Sequence, residues 1–236
     1  DISGSMGMGH TRWATHGEPS DTNAHPHKSM KGKFYVVHNG IIEKYAHLRK
    51  ELQNRGYKFT SETDTEILAN LIENIYFEQK VSAELAVRLA LTKVVGAYGL
   101  VIFCEDEPGT LIAARKGSPL VIGVGEKEYF LASDATPIVE YTDQVIYLND
   151  EEVAVITREK LELKNLYNDS KTPDIKTIEL SIENIDKGEY EHFMLKEIFE
   201  QPRAVTDTIR GRISLEEGEV SLQESGLTAR TLKDIR

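Results

Sequence analysis

Apolar positions change their rhythm twice along this chain. Residues 33–38 (KFYVVH) are mostly β-branched and aromatic, which predicts a strand closed by the turn signal Asn39-Gly40. Over 41–55 the spacing becomes helical: Ile42, Tyr45, Leu48 and Leu52 share a side, and Gly56 sits where a C′ glycine belongs. The next helix is announced by Thr63-Asp64-Thr65-Glu66, a Thr-x-x-Glu capping box, and continues with the apolar face Ile67, Leu68, Leu71, Ile72 and Ile75. A third helix is predicted from the N-cap Ser82, with Leu85 and Leu89 turned inward and a stop near Gly96.

The texture then shifts to short strands, predicted at 100–104, 111–115, 120–124, 129–132, 145–148, 153–156 and 161–163. Between them lie the turn signals Glu107-Pro108-Gly109, Lys116-Gly117-Ser118-Pro119 and Asn149-Asp150. Runs such as LVIF and VAVI are apolar on consecutive residues, as in sheets covered on both faces. Helices grouped together and then strands grouped together read as an α+β fold, with two sheets sandwiched between helices. The chain turns polar at 165–173 and breaks again at Lys187-Gly188. Residues 190–201 return to helical spacing, and Pro202 fits the first turn of a further helix. Residues 213–236 carry too few apolar side chains to pack alone, so they are expected to be the leading edge of a second domain.

Composition narrows the function classes. With 40% hydrophobic and 28% charged residues over 236 positions, the chain can bury a core and is not disordered. Its 28 basic and 39 acidic side chains give a net charge of −11, which argues against a nucleic-acid partner. No apolar run is long enough to cross a bilayer, so no membrane partner is expected. A single cysteine cannot close an internal disulfide, which suits a reducing, cytoplasmic setting. The opening Asp1-Ile2-Ser3-Gly4-Ser5 shows neither Met nor a targeting pattern, and the chain is expected to begin mid-domain.

Chemistry concentrates near the start. Residues 9–17 (GHTRWATHG) pack an Arg, a Trp, two His and two Thr together, and NAHPH at 23–27 and His38-Asn39-Gly40 follow. A zinc site built on His25-x-His27 with His10 or His16 is one reading; hydrogen-bonded histidines in an irregular loop are the blander one. Arg12 offers a planar fork of donors suited to a carboxylate or phosphate, or makes an ordinary surface ion pair. Asn39-Gly40 is a hairpin turn, or it is an oxyanion hole that aims the Asn amide and the Gly N–H at one developing charge. Asp64 complements a helix dipole, or projects to hold an ammonium group. Cys104 lies in an apolar strand with no positive neighbour in sequence and reads as buried and inert. Ser118 is not in a Gly-x-Ser-x-Gly elbow, and 117–125 lacks the Gly-Lys-Ser/Thr of a phosphate loop.

Together GHTRWATHG, NAHPH, VVHNGIIE (36–43), SETDTE (61–66), GAYGLVI, AARKGSPLVIG and KGEYEHFMLKEIFEQP resemble the glutamine–fructose-6-phosphate aminotransferases, within the class II glutamine amidotransferases. The similarity spreads from about Met8 to Arg212. It implies a four-layer αββα N-terminal-nucleophile fold over residues 1–188, with its N-terminal part missing. It also implies that 189–236 are a linker and the first helices of a sugar-phosphate isomerase domain. On the matching motifs, Arg12 would hold the glutamine α-carboxylate with Thr15 and His16 assisting, and Asp64 the α-ammonium. Asn39 and Gly40 would form the oxyanion hole, and Trp13 would gate the passage of ammonia. Glutamine and fructose 6-phosphate are the implied substrates, a homodimer the implied assembly, and no metal or organic cofactor is implied. The family's nucleophile is an N-terminal cysteine whose own amine is the base; this chain opens on Asp1, so as given it is expected not to hydrolyse glutamine. Two rivals remain on sequence: another class II amidotransferase, acting on phosphoribosyl pyrophosphate, and a non-catalytic glutamine-binding module.

Overall fold

The ten-residue strand β2 (Phe34–Glu43) runs straight through Asn39-Gly40 instead of ending there, and the turn expected at that pair is absent. The reason lies sixty residues downstream. β2 pairs antiparallel over its full length with β3 (Val95–Cys104), from Phe34 opposite Cys104 to Glu43 opposite Val95. Gly40, at φ +134°, is accommodated because it has no side chain: a Cβ there would lie 2.1 Å from the carbonyl oxygen of Ala97. The helix expected from 41 therefore starts later, as α1 (Tyr45–Asn54), and Gly56 closes it at φ +89° as anticipated.

The computed structural model describes residues 4–12, 17–178, 190–209, 213–214 and 219–220. Contacts divide the chain into two units, Asp1–Ile182 and Glu183–Arg236. In the first, β1 (His27–Lys28), β2 and β3 join β4 (Leu111–Lys116), β8 (Glu152–Ile156), β9 (Leu161–Asn165) and β10 (Ser170–Lys171) in a seven-stranded antiparallel sheet, in the order β1-β2-β3-β4-β8-β9-β10. A four-stranded antiparallel sheet holds β5 (Val121–Val124), β6 (Tyr129–Ala132), β7 (Gln144–Tyr147) and β11 (Lys176–Thr177), ordered β11-β7-β5-β6.

Alternation along the strands assigns the faces. Phe34, Val36, Ile42, Leu100, Ile102 and Ile112 pack with α2 (Asp64–Gln79) and α3 (Ala83–Leu91) in the largest core. The opposite face of the large sheet, with Ala113, Ala154 and Ile156, meets Leu120, Ile122 and Ile146 around the small sheet. The small sheet's outer residues Val121 and Val145 are covered at Ile138, in a stretch of helical turns spanning 135–142. The layers are thus helix, sheet, sheet and a short helical cover, the α+β sandwich anticipated from the texture of the chain.

Two helix details differ from the pattern reading. α3 is capped by Ser82 as expected, but its inward face is Ala83, Ala86, Val87 and Ala90, with Leu85 and Leu89 only half-buried. Small residues let the helix sit close, and the leucines cover its flanks. The Thr63 hydroxyl caps α2 by accepting from the Glu66 N–H, yet the Glu66 carboxylate does not return to Thr63. It accepts instead from the N–H and hydroxyl of Ser61 (both 2.7 Å) and from those of Thr60 (2.9 and 3.0 Å), stapling the approaching chain to the helix. Glu66 is buried. Glu66→Ala is therefore expected to leave several donors unpaired and to lower the unfolding free energy by about 2–4 kcal/mol, measured by urea denaturation; a loss below about 1 kcal/mol would show that water replaces the carboxylate.

In the second unit, α4 (Phe193–Ile209) is one helix with Pro202 inside it, where a break and a new first turn were expected. Proline removes one N–H from the helical ladder there. β12 (Ile213–Ser214) and β13 (Glu219–Val220) form a two-stranded ribbon.

Candidate active site

The chemistry-bearing residues of the first unit gather where β2 meets the start of α2. Because side chains alternate along a strand, His38 points to the helix side and Asn39 to the other. His38 is buried, with Nδ1 3.1 Å from the Thr65 hydroxyl and 3.9 Å from Oδ2 of Asp64. Asn39 is exposed and faces Gly99 on β3, so no side chain stands opposite it.

Asp64, the first residue of α2, is buried, and its Oδ2 accepts the Ile42 N–H at 2.7 Å. That bond takes the Ile42 N–H out of the β2–β3 ladder, toward the strand's other edge. Gly40 lies two residues earlier on the same strand, at φ +134°. Oδ1 of Asp64 has only a long contact of 3.5 Å from the Thr65 hydroxyl among the described residues.

Arg12 stands at φ +49°, and its guanidinium donates to the carbonyls of Glu18 (3.0 Å) and Gly17 (3.1 Å). Its backbone N–H donates to Nδ1 of His10 at 2.9 Å, and His10 Nε2 lies 2.7 Å from Oδ1 of Asn39. The sequence offered His10 only as a candidate third zinc ligand beside His25 and His27; its partnership with Asn39 spans 29 residues and becomes visible only in the fold. Trp13, Thr15 and His16 lie outside the described residues.

The two histidines weighed as a chelating pair each have one ring nitrogen bound to a threonine hydroxyl. His25 Nε2 pairs with the Thr65 hydroxyl at 3.1 Å, and His27 Nε2 with that of Thr63 at 3.0 Å. Their rings meet edge to face, with centroids 4.8 Å apart. Among the described residues no group of three or more His, Cys, Asp or Glu is arranged to hold a metal ion. Cys104, at the far end of β3 opposite Phe34, is buried, and burial pushes its thiol above the usual range. That is the setting of an inert thiol.

Burial also pushes His25 down, to about 3 from 6.5, with His27, His10 and other cationic neighbours adding to the effect; burial lowers His27 too. Between pH 6.5 and 3 the unfolded chain therefore binds protons that the folded chain refuses, so stability is lost as the pH falls through this window. The thermal midpoint is expected to fall between pH 7 and 5, and His25→Gln to flatten that slope. An unchanged slope in the variant would refute a neutral, buried His25.

These residues match known sequences closely. Residues 2–190 match the glutamine amidotransferase domain family. Proteins named glutamine–fructose-6-phosphate aminotransferase (isomerizing) from Bacteroides thetaiotaomicron and Chlorobaculum tepidum are 56% and 50% identical, each over 94% of this chain. One from Pyrococcus horikoshii is 46% identical over 90% of it. The chain spans 36% of the length of each of these three relatives. Among solved structures, glutamine phosphoribosylpyrophosphate amidotransferase from B. subtilis is similar with a TM-score of 0.56 and 25% identity, over 66% of this chain and 34% of that one. With the family match running through β2, α2 and both sheets, the chain belongs to the glutamine amidotransferase domain family.

Proposed function

We propose that the complete protein transfers the amide nitrogen of glutamine to fructose 6-phosphate, giving glucosamine 6-phosphate and glutamate, and that residues 1–188 are its glutaminase. Residues 189–236 then lead into a sugar-phosphate isomerase domain, and the enzyme works in the cytoplasm as a homodimer. The acceptor follows from the names of relatives 45–56% identical to this chain.

The observation that carries the glutaminase reading is the placement of Asp64 and Gly40 along β2. Asp64 anchors at Ile42, and Gly40 lies two residues earlier on the strand. Two strand residues span roughly 6.6 Å, commensurate with an extended glutamine. Asp64 takes the α-ammonium, Arg12 the α-carboxylate, and the side-chain amide lies over Asn39 and Gly40. Thr15 and His16 assist Arg12, and Trp13 gates the ammonia, on the strength of the motif alone.

A cysteine thiolate attacks the carboxamide carbon; Cys104, buried and with a raised pKa, is unsuited to that role. The carbonyl electron pair moves onto oxygen, where the Asn39 amide and the Gly40 N–H stabilise it. The cysteine's own α-amine, which took up the thiol proton, returns it to the amide nitrogen as the C–N bond breaks; ammonia leaves, and water hydrolyses the thioester to glutamate.

Incubating the complete protein with glutamine and fructose 6-phosphate, with mass analysis of the product, tests the reading. An aminohexose phosphate formed one for one with glutamate is expected. Amination of phosphoribosyl pyrophosphate in its place would keep the glutaminase and discard the acceptor.

A further inference from the structure

His10 occupies a position that the proposed catalytic groups leave unexplained. Its ring lies between the backbone of Arg12 and the side chain of Asn39. The Arg12 N–H can only donate, so Nδ1 of His10 accepts, and the proton of the neutral ring sits on Nε2. Nε2–H therefore donates to Asn39, and the atom it meets at 2.7 Å must be the amide oxygen. Turning the amide over would set NH₂ against N–H, two donors face to face.

We propose that His10 is a positioning residue: it locks the Asn39 amide with its NH₂ turned away from the imidazole toward the substrate carboxamide, and couples that aim to the backbone of Arg12. The proposal rests on the glutaminase reading above. Three further observations support it. The Asn39 amide is exposed, and among the described residues His10 is the one side chain hydrogen-bonded to it. Across the strand stands Gly99, which offers nothing else to orient it. The His10 ring is itself packed from behind by His25, with ring centroids 4.5 Å apart and planes tilted by 34°, and His25 Nε2 is tied to Thr65. His25 is kept neutral by burial, so the ring behind His10 carries no charge that would oppose the hydrogen-bond pattern.

Two residues, at opposite ends of the substrate in the proposed site, thus share one imidazole. Arg12 faces the carboxylate, Asn39 faces the carboxamide, and a shift of the Arg12 backbone reaches Asn39 through two hydrogen bonds. An oxyanion donor that is aimed before the charge develops needs no reorganisation during the reaction.

The test uses four variants of the complete protein, assayed for glutamate release with kcat and KM separated. His10→Asn keeps an acceptor near the Nδ1 position but cannot reach Asn39; kcat is expected to fall roughly ten- to hundredfold with KM little changed. His10→Gln returns an N–H near the Nε2 position and is expected to recover most of that loss. Asn39→Ala sets the full cost of losing the donor. In the double variant His10→Asn/Asn39→Ala, kcat is expected to equal that of Asn39→Ala alone, because the group His10 acts through is gone.

Wild-type kcat in His10→Asn would overturn the proposal, as would a double variant in which the two losses multiply. Equal losses in His10→Asn and His10→Gln would overturn it in favour of simple ring packing on His25. If Asn39→Ala itself kept full kcat, the oxyanion reading would fall with it; if Asn39→Ala lost activity and His10→Asn did not, only the positioning role would fall.

Discussion

Replacing Asn39 by alanine in the complete protein is expected to lower kcat for glutamine hydrolysis by roughly 10²–10³ while KM stays near its original value. The asymmetry follows from what the amide touches. In the proposed site the carboxamide oxygen of bound glutamine is neutral and the Asn39 amide would hold it only modestly. In the tetrahedral intermediate that oxygen would carry a full charge, and the bond from the Asn39 N–H would become charge-assisted. An interaction made mainly in the transition state appears in kcat. Asn39 is exposed and faces a glycine, so its truncation leaves no cavity and the fold should be preserved. An effect confined to KM would move Asn39 from catalysis to binding.

Gly40→Ala is expected to be as damaging to turnover and, unlike Asn39→Ala, to damage the fold. At φ +134° an L side chain is strained, and the new Cβ would lie 2.1 Å from the Ala97 carbonyl oxygen and 2.7 Å from its carbon. Both are backbone atoms of β3, so no side-chain rotation relieves the contact. Either β2 and β3 part locally or Gly40 changes conformation, and in both cases its N–H leaves the position proposed for the oxyanion. A stability loss of about 3 kcal/mol or more is expected, read as a lowered thermal midpoint, together with a turnover loss comparable to that of Asn39→Ala. Native stability and native kcat in this variant would show that β2 need not pass Ala97 as closely as described.

Local pattern was legible in the sequence wherever local chemistry decided the outcome. Thr63 and Ser82 cap helices because a hydroxyl accepting from the third residue on is a short-range bond. Strands β4, β5, β7 and β8 were readable because consecutive apolar residues in each are buried. The course of β2 was not, because Asn39-Gly40 is by itself a turn signal. What carries the strand through it is pairing with 95–104, where Gly96 lies opposite Ile42 and also stands at φ +134°. The inward face of α3 was misjudged for a similar reason: close approach to a neighbour selects Ala83, Ala86 and Ala90 over larger leucines, and closeness is a tertiary property. Pro202 carries the local signature of a helix start, yet α4 runs through it.

The candidate site divides along the same line. Arg12, Asn39, Gly40 and Asp64 were named from motif chemistry, each with a plain structural alternative. The structure brings Asn39, Gly40 and Asp64 to one strand and the helix start beside it. The link from Arg12 through His10 to Asn39 depends on a loop folding back over β2, and no spacing in the sequence marks it.

The most direct test of the account is glutamate release from glutamine by the complete protein, measured with and without fructose 6-phosphate. Release is expected to rise when the sugar phosphate is added, as ammonia finds its acceptor. No release in either condition, from protein whose nucleophilic cysteine is confirmed intact, would contradict it and leave a glutamine-binding module in its place.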